Sequence, residues 1–115
     1  MNFVFLAAGK SSRMLKSLNK PKCLLKLGKK TLIEKLISNL KNFKLKKIHV
    51  VVGFKSNLIK KSLKKLKYLN FIYNKNYSNK EMLYSMILAL RKINDDVIFS
   101  YSDIVYDKII IKKLI

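Results

Sequence analysis

Between Leu6 and Met14 the chain reads Leu-Ala-Ala-Gly-Lys-Ser-Ser-Arg-Met, and these residue types suit the holding of an anion. Gly9 has no Cβ to keep an anion away from the backbone. Ser11 and Ser12 add short hydroxyl donors, and successive N–H groups in such a segment can form an anion-binding nest. Arg13 carries a planar fork of donors that matches phosphate oxygens. Lys22, directly after the single proline, Pro21, brings a second cation back toward the same place. Two familiar phosphate loops are excluded. A Walker A loop needs a glycine five positions before Gly9, and Val4 stands there. The dinucleotide fingerprint needs three glycines at fixed spacing, and only Gly9 is present in this stretch.

The flanking sequence supplies elements able to position these groups. Phe3 to Ala8 is a continuous apolar run, as expected of a parallel strand buried on both faces. Gly9 to Pro21 reads as a loop, and Lys22 to Leu27 as a short extended piece. Thr31 to Phe43 has helical spacing, with Leu32, Ile33, Leu36, Ile37 and Leu40 on one side, Thr31 as N-cap and Glu34 three residues on. Lys47 to Gly53 is a second strand. Ser56 to Leu66 is an amphipathic helix, with Leu58, Ile59, Leu63 and Leu66 facing inward and lysines outward. Tyr68 to Tyr73 is a third strand. Lys80 to Lys92 is a third helix, with Leu83, Met86, Ile87 and Leu90 on its apolar side. Asp96 to Tyr101 is a fourth strand, and a last helix is expected from Asp107.

Strand and helix alternate, so the predicted class is α/β with a mainly parallel, doubly wound sheet. Ligands of such sheets bind beyond the carboxyl ends of the strands. Two segments fall there: the loop from Gly9, and Ser102-Asp103 after the fourth strand. Asp95 and Asp96 begin that strand and belong at the opposite end. His49 inside a strand, and Cys23 beside Leu24 and Leu25, read as structural residues.

The composition limits the remaining classes. With 115 residues, half of them hydrophobic, the chain can form a real core and is not a disordered tail. One cysteine allows neither a disulfide framework nor a multi-cysteine metal site, and a cytoplasmic setting is expected. The apolar start is too short to span a bilayer. The net charge of +20 invites a nucleic-acid or anionic-membrane reading. Yet arginine occurs only twice, lysines are spread along the whole chain, and lysine, asparagine and isoleucine together are what AT-rich codons produce. The charge is therefore read as a solvated basic surface that attracts anionic substrates, with a nucleic-acid partner less expected.

The stretch Leu6-Ala7-Ala8-Gly9-x-Ser11-Ser12-Arg13-Met14, then Pro21-Lys22-x-Leu24-Leu25 and Gly28-x-x-x-Leu32-Ile33, resembles the N-terminal signature of nucleotidyltransferases with a sugar-nucleotide pyrophosphorylase fold. Val51-Val52-Gly53-Phe54 is similar to that family's second strand and its exit. Asn74-x-x-Tyr77 with Leu83-Tyr84-Ser85-Met86 looks most like the phosphocholine cytidylyltransferases. The family pattern has an asparagine in the turn before Tyr-Ser, where this chain has Glu81, and Asn79 is the nearby candidate for the base contact. Asp103 stands where the family places a metal-binding aspartate, often after glycine; here Ser102 precedes it.

The resemblance implies a Rossmann-like nucleotide-binding half of the nucleotide-diphospho-sugar transferase type over residues 1–115, incomplete at its carboxyl end. It implies transfer of a nucleoside monophosphate, from CTP in the first instance, to phosphocholine or a sugar 1-phosphate, with pyrophosphate leaving in line. Leu6, Ala7, Ala8, Gly9, Lys10, Ser11, Ser12 and Asn79 would bind the nucleotide. Arg13 and Lys22 would be catalytic, and Asp103 would ligate Mg²⁺. A complementing C-terminal half or a homo-oligomer is the expected partner. A nucleotide-binding module without catalysis is the alternative, and a basic nucleic-acid-binding domain the third reading.

Overall fold

In the computed structural model the described residues are 1–9, 21–41, 43–66, 68–75, 82–102, 109–110 and 113. The first strand, β1 (Asn2–Ala7), is buried along its whole length. Its apolar run allows this because both of its faces meet apolar layers. β4 (Lys47–Val52) and β6 (Val97–Tyr101) flank it, and β5 (Leu69–Tyr73) lies outside β4, giving the order β5-β4-β1-β6. All three pairings are parallel, with Leu6 opposite Val51 on one side and Tyr101 on the other. The predicted class, α/β with a mainly parallel sheet, is thus the observed one.

The two faces of β1 carry different layers because side chains alternate along a strand. Phe3, Phe5 and Ala7 join Ile48, Val50 and Val52 against Ile33, Leu36 and Ile37 of α1 (Leu32–Ser38) and Ile59 of α2 (Ser56–Ser62). Val4, Leu6 and Ala8 join Val51 and Ile72 against Ala89 of α3 (Met82–Lys92) and Ile93 just beyond it. Helices therefore cover both faces of the sheet.

α1 begins at the predicted cap. The Glu34 amide donates to Thr31 Oγ1 at 3.2 Å, and the Thr31 amide donates to Glu34 Oε1 at 3.4 Å. This reciprocal box satisfies donors that a helix start leaves open. α1 ends at Ser38, shorter than the Thr31–Phe43 span predicted, and turns continue to Lys41. The Lys22–Leu27 stretch is not uniformly extended. Lys22–Leu24 forms a turn of 3-10 helix, and only Lys26–Leu27 (β2) is extended, pairing antiparallel with Lys30–Thr31 (β3). Gly28 makes this hairpin possible with a φ of 70°, a conformation that costs residues with a Cβ.

Two predicted helix faces are rotated. Leu58 is exposed, while Ile59 and Leu63 are fully buried. Adjacent helical residues point about 100° apart, and α2 meets the sheet through the side that carries Ile59 and Leu63, which turns Leu58 toward solvent. On α3 the inward stripe is Ser85, Ala89 and Ile93, one helical turn apart, and Ile87 and Leu90 are exposed. Apolar residues surround this helix, so periodicity alone did not fix its rotation. Small Ser85 and Ala89 allow the closer approach to the sheet. The side chain of Leu83 and the predicted start of the last helix, Asp107, lie outside the described residues; Ile109 and Ile110 are helical.

Candidate functional site

Four parallel strands bring their carboxyl ends to one edge, and the chain leaves β1 there through Ala8 and Gly9. Because β4 and β6 lie on opposite sides of β1, the order reverses at this strand, and such a switch point opens a crevice at the carboxyl edge. The side chains of Leu6, Ala7 and Ala8 belong to the two cores. What these residues can offer a ligand is therefore backbone and small size. Gly9 is the first exposed residue, and a Cβ built on it meets nothing within 4 Å among the described residues. Its φ is not in the left-handed region. Neither packing against described residues nor backbone conformation requires glycine here, and close approach of an anion gives it a use.

Hydrogen bonds tie the strand exits together. The Phe54 amide donates to the Ala8 carbonyl at 3.0 Å, and the Asn74 amide to the Val52 carbonyl at 2.8 Å. Asn74 Nδ2 donates to Ser85 Oγ at 3.0 Å, joining the exit of β5 to α3. The Ser102 hydroxyl donates to the Leu6 carbonyl at 2.9 Å across the switch point. Asn74, Ser85 and Ser102 are all buried. Asn74 and Ser85 entered the sequence reading only as motif letters, and Ser102 only as the residue before Asp103. The available signal was a polar residue at the exit of a buried parallel strand, where backbone groups need partners.

Lys22 is half-buried at the start of the 3-10 turn. Cys23 and Leu24 anchor that turn in the core beneath α1, and the Leu24 amide donates to the Pro21 carbonyl at 3.0 Å. The buried environment agrees with the structural reading of Cys23. Lys10, Ser11, Ser12, Arg13, Asn79 and Asp103 lie outside the described residues. Among the described residues no cluster of three His, Cys, Asp or Glu side chains could hold a metal ion.

The opposite edge carries a different polar group. His49 is buried between Asn2 and Asn70, with Nε2 3.2 Å from Asn2 Oδ1 and Nδ1 3.0 Å from Asn70 Nδ2. With Asn70 Nδ2 donating, Nδ1 accepts and the proton sits on Nε2. Burial, and secondarily the Lys47 ammonium, holds the imidazole below its ordinary pKa. Asp95 is exposed at this end, as expected. Its carboxylate, 3.4 Å from Lys46 Nζ, is held below the usual range by the Asp96 amide first and Lys46 second.

A parallel sheet whose strand order reverses at β1 is the frame of an α/β domain that takes its ligand at the carboxyl edge. Residues 3–115 match the MobA-like NTP transferase domain, and the chain belongs to that family. It is 34% identical to the CTP:phosphoglutamine cytidylyltransferase of Campylobacter jejuni, over all of this chain and 48% of that protein. It is 37% identical to the bifunctional protein GlmU of Buchnera aphidicola, over 99% of this chain and 24% of that one. Among solved structures, the CTP:phosphocholine cytidylyltransferase LicC of Streptococcus pneumoniae matches with a TM-score of 0.76 and 28% identity, over 89% of this chain and 44% of that one. The chain thus spans about half the length, or less, of the relatives it matches. Among the described residues no helix is long and apolar enough to cross a membrane.

Proposed function

We propose that the chain is the nucleotide-binding part of a cytidylyltransferase that moves CMP from CTP to a phosphate-bearing acceptor and releases pyrophosphate. One observation carries this reading: the exit of β1 through Ala8 and Gly9 lies at the switch point, beside the exit of β6 at Ser102. CTP is favoured because relatives that act on different acceptors share it in their names. Those acceptors, phosphoglutamine and phosphocholine, share a phosphate; a sugar 1-phosphate belongs to the same class.

In this reading Gly9 and the amides after it receive the triphosphate, with Lys10, Ser11 and Ser12 beside them. Arg13 holds the reacting phosphates, and Lys22 offsets charge that develops on them. Asn79 contacts the base. Mg²⁺ would be held by Asp103 together with the phosphates, since this hard cation often takes one or two carboxylates and completes its shell with substrate oxygens. It would supply charge neutralisation at the α-phosphate. The donor set suits an ion that arrives with the nucleotide rather than a protein cage. A cytoplasmic setting goes with this reading.

The test is incubation of the chain with CTP, Mg²⁺ and each acceptor in turn, measuring pyrophosphate release, with Arg13→Ala as control. Arg13-dependent release with one acceptor supports transfer. CTP binding that depends on Arg13 but yields no pyrophosphate supports the second reading, a nucleotide-binding module that needs a complementing half or a second copy. Binding to nucleic acid that weakens steeply with salt and ignores Arg13→Ala would replace both.

A further inference from the structure

We propose that Ser102 is a positioning residue for the phosphate-binding segment, acting through the Leu6 carbonyl; this rests on the cytidylyltransferase reading, which seats the triphosphate after β1. The β1–β6 register ends with Leu6 opposite Tyr101, so Ser102 is the first residue past the ladder. Its buried hydroxyl donates to the Leu6 carbonyl at 2.9 Å, joining residues 96 positions apart. From Leu6 the chain runs through Ala7 and Ala8 to the exposed Gly9. On the β4 side the same stem is held by the Phe54 amide on the Ala8 carbonyl. The stem is thus gripped from both neighbouring strand exits, but by different means. The β4 grip is backbone to backbone, and every residue type except proline can make it. The β6 grip needs a side-chain hydroxyl. Glycine, often found at this position in the pattern the sequence resembles, has no side chain with which to make it.

A segment that receives a triphosphate with backbone amides must be aimed before the ligand arrives, because ordering it on binding lowers affinity. Ser102 fixes the stem on its β6 side at Leu6, three residues before Gly9. It acts on phosphate binding, without touching the base.

The test is calorimetric titration of the wild-type, Ser102→Ala, Ser102→Thr and Asn70→Ala chains with CTP and with inorganic tripolyphosphate, alongside thermal unfolding of each. Asn70→Ala removes a side-chain polar tie at the far end of the sheet. Ser102→Ala is expected to weaken both ligands about three- to tenfold, the range one hydrogen bond commands. Ser102→Thr keeps the hydroxyl and binds like wild type, and Asn70→Ala lowers Tm without changing either affinity. Wild-type affinity in Ser102→Ala overturns the proposal, as does an equal loss of affinity in Asn70→Ala. A loss confined to CTP, with tripolyphosphate unaffected, also overturns it. A wild-type chain that binds neither ligand removes the cytidylyltransferase reading itself, and the role of Ser102 with it.

Discussion

At the amino end of the sheet, Asn2, His49 and Asn70 form a hydrogen-bonded chain in which both imidazole nitrogens have partners inside the protein. At the carboxyl end, polar ties from Phe54, Asn74 and Ser102 hold the strand exits, and the backbone then runs out to an exposed Gly9. The same strands build both ends. Polar groups that satisfy one another across strands define register and add stability, whereas backbone groups brought to a fixed edge remain available for a ligand. Burial of a polar residue here marks scaffolding, and in the proposed reading the ligand surface begins where burial stops.

The comparison can be broken most severely at the carboxyl end. Arg13→Ala is expected to weaken CTP binding by about ten- to a hundredfold, since charge-assisted hydrogen bonds to phosphate are the strong ones. Gly9→Ala should lower the same affinity about tenfold or more while moving Tm little, because its backbone is not left-handed and its Cβ would meet nothing within 4 Å among the described residues. If Gly9→Ala unfolds the chain, the glycine is scaffolding and the contrast between the two ends fails. Calorimetry and a thermal melt on one preparation decide this.

At the amino end the expected effects are on stability. His49→Leu leaves Asn2 and Asn70 without their partner and should cost about 1–3 kcal/mol in urea unfolding, with CTP affinity unchanged. The same residue gives a pH dependence of definite sign. Its folded pKa lies below its ordinary value of 6.5, so the unfolded chain binds the proton first as pH falls. His49 therefore favours folding fully above about pH 6.5, and stability declines as pH drops from there toward the lowered folded value. Unfolding of wild type and His49→Gln at pH 7.5 and 5.5 should show a steeper loss in wild type; parallel losses would refute the assignment.

Smaller effects calibrate both ends. Thr31→Ala removes the α1 cap and should cost about 1 kcal/mol. Lys46→Ala, in an exposed pair with Asp95, should leave Tm within error of wild type.

Much of this molecule was legible in the residues. The unbroken apolar run of β1 requires burial on both faces, and only a covered parallel sheet provides that, so the class followed from hydrophobicity. Thr31 and Glu34 announced a cap because their chemistry is local, three residues apart. Gly9 was legible for the same reason, as an exposed strand exit. Other features were hidden because they depend on partners far along the chain. The rotation of α3, which buries Ser85 and Ala89 and exposes Leu90, was set by how closely that helix approaches the sheet. The 3-10 turn at Lys22 formed because Cys23 and Leu24 both found core to enter. The partners of His49 come from two other strands, and no spacing rule joins residues 2, 49 and 70.

The residues alone settled the alternating α/β class, the cap of α1 and the inward runs of the central strands. These follow from local periodicity and from the chemistry of single side chains. Only the tertiary structure decided which strand exits stand side by side, and hence that a serine near the far end of the chain holds the carbonyl of Leu6. A hydrogen bond reaches about 3 Å, while the residues it joins can be any distance apart in sequence, so only the folded order of strands selects them.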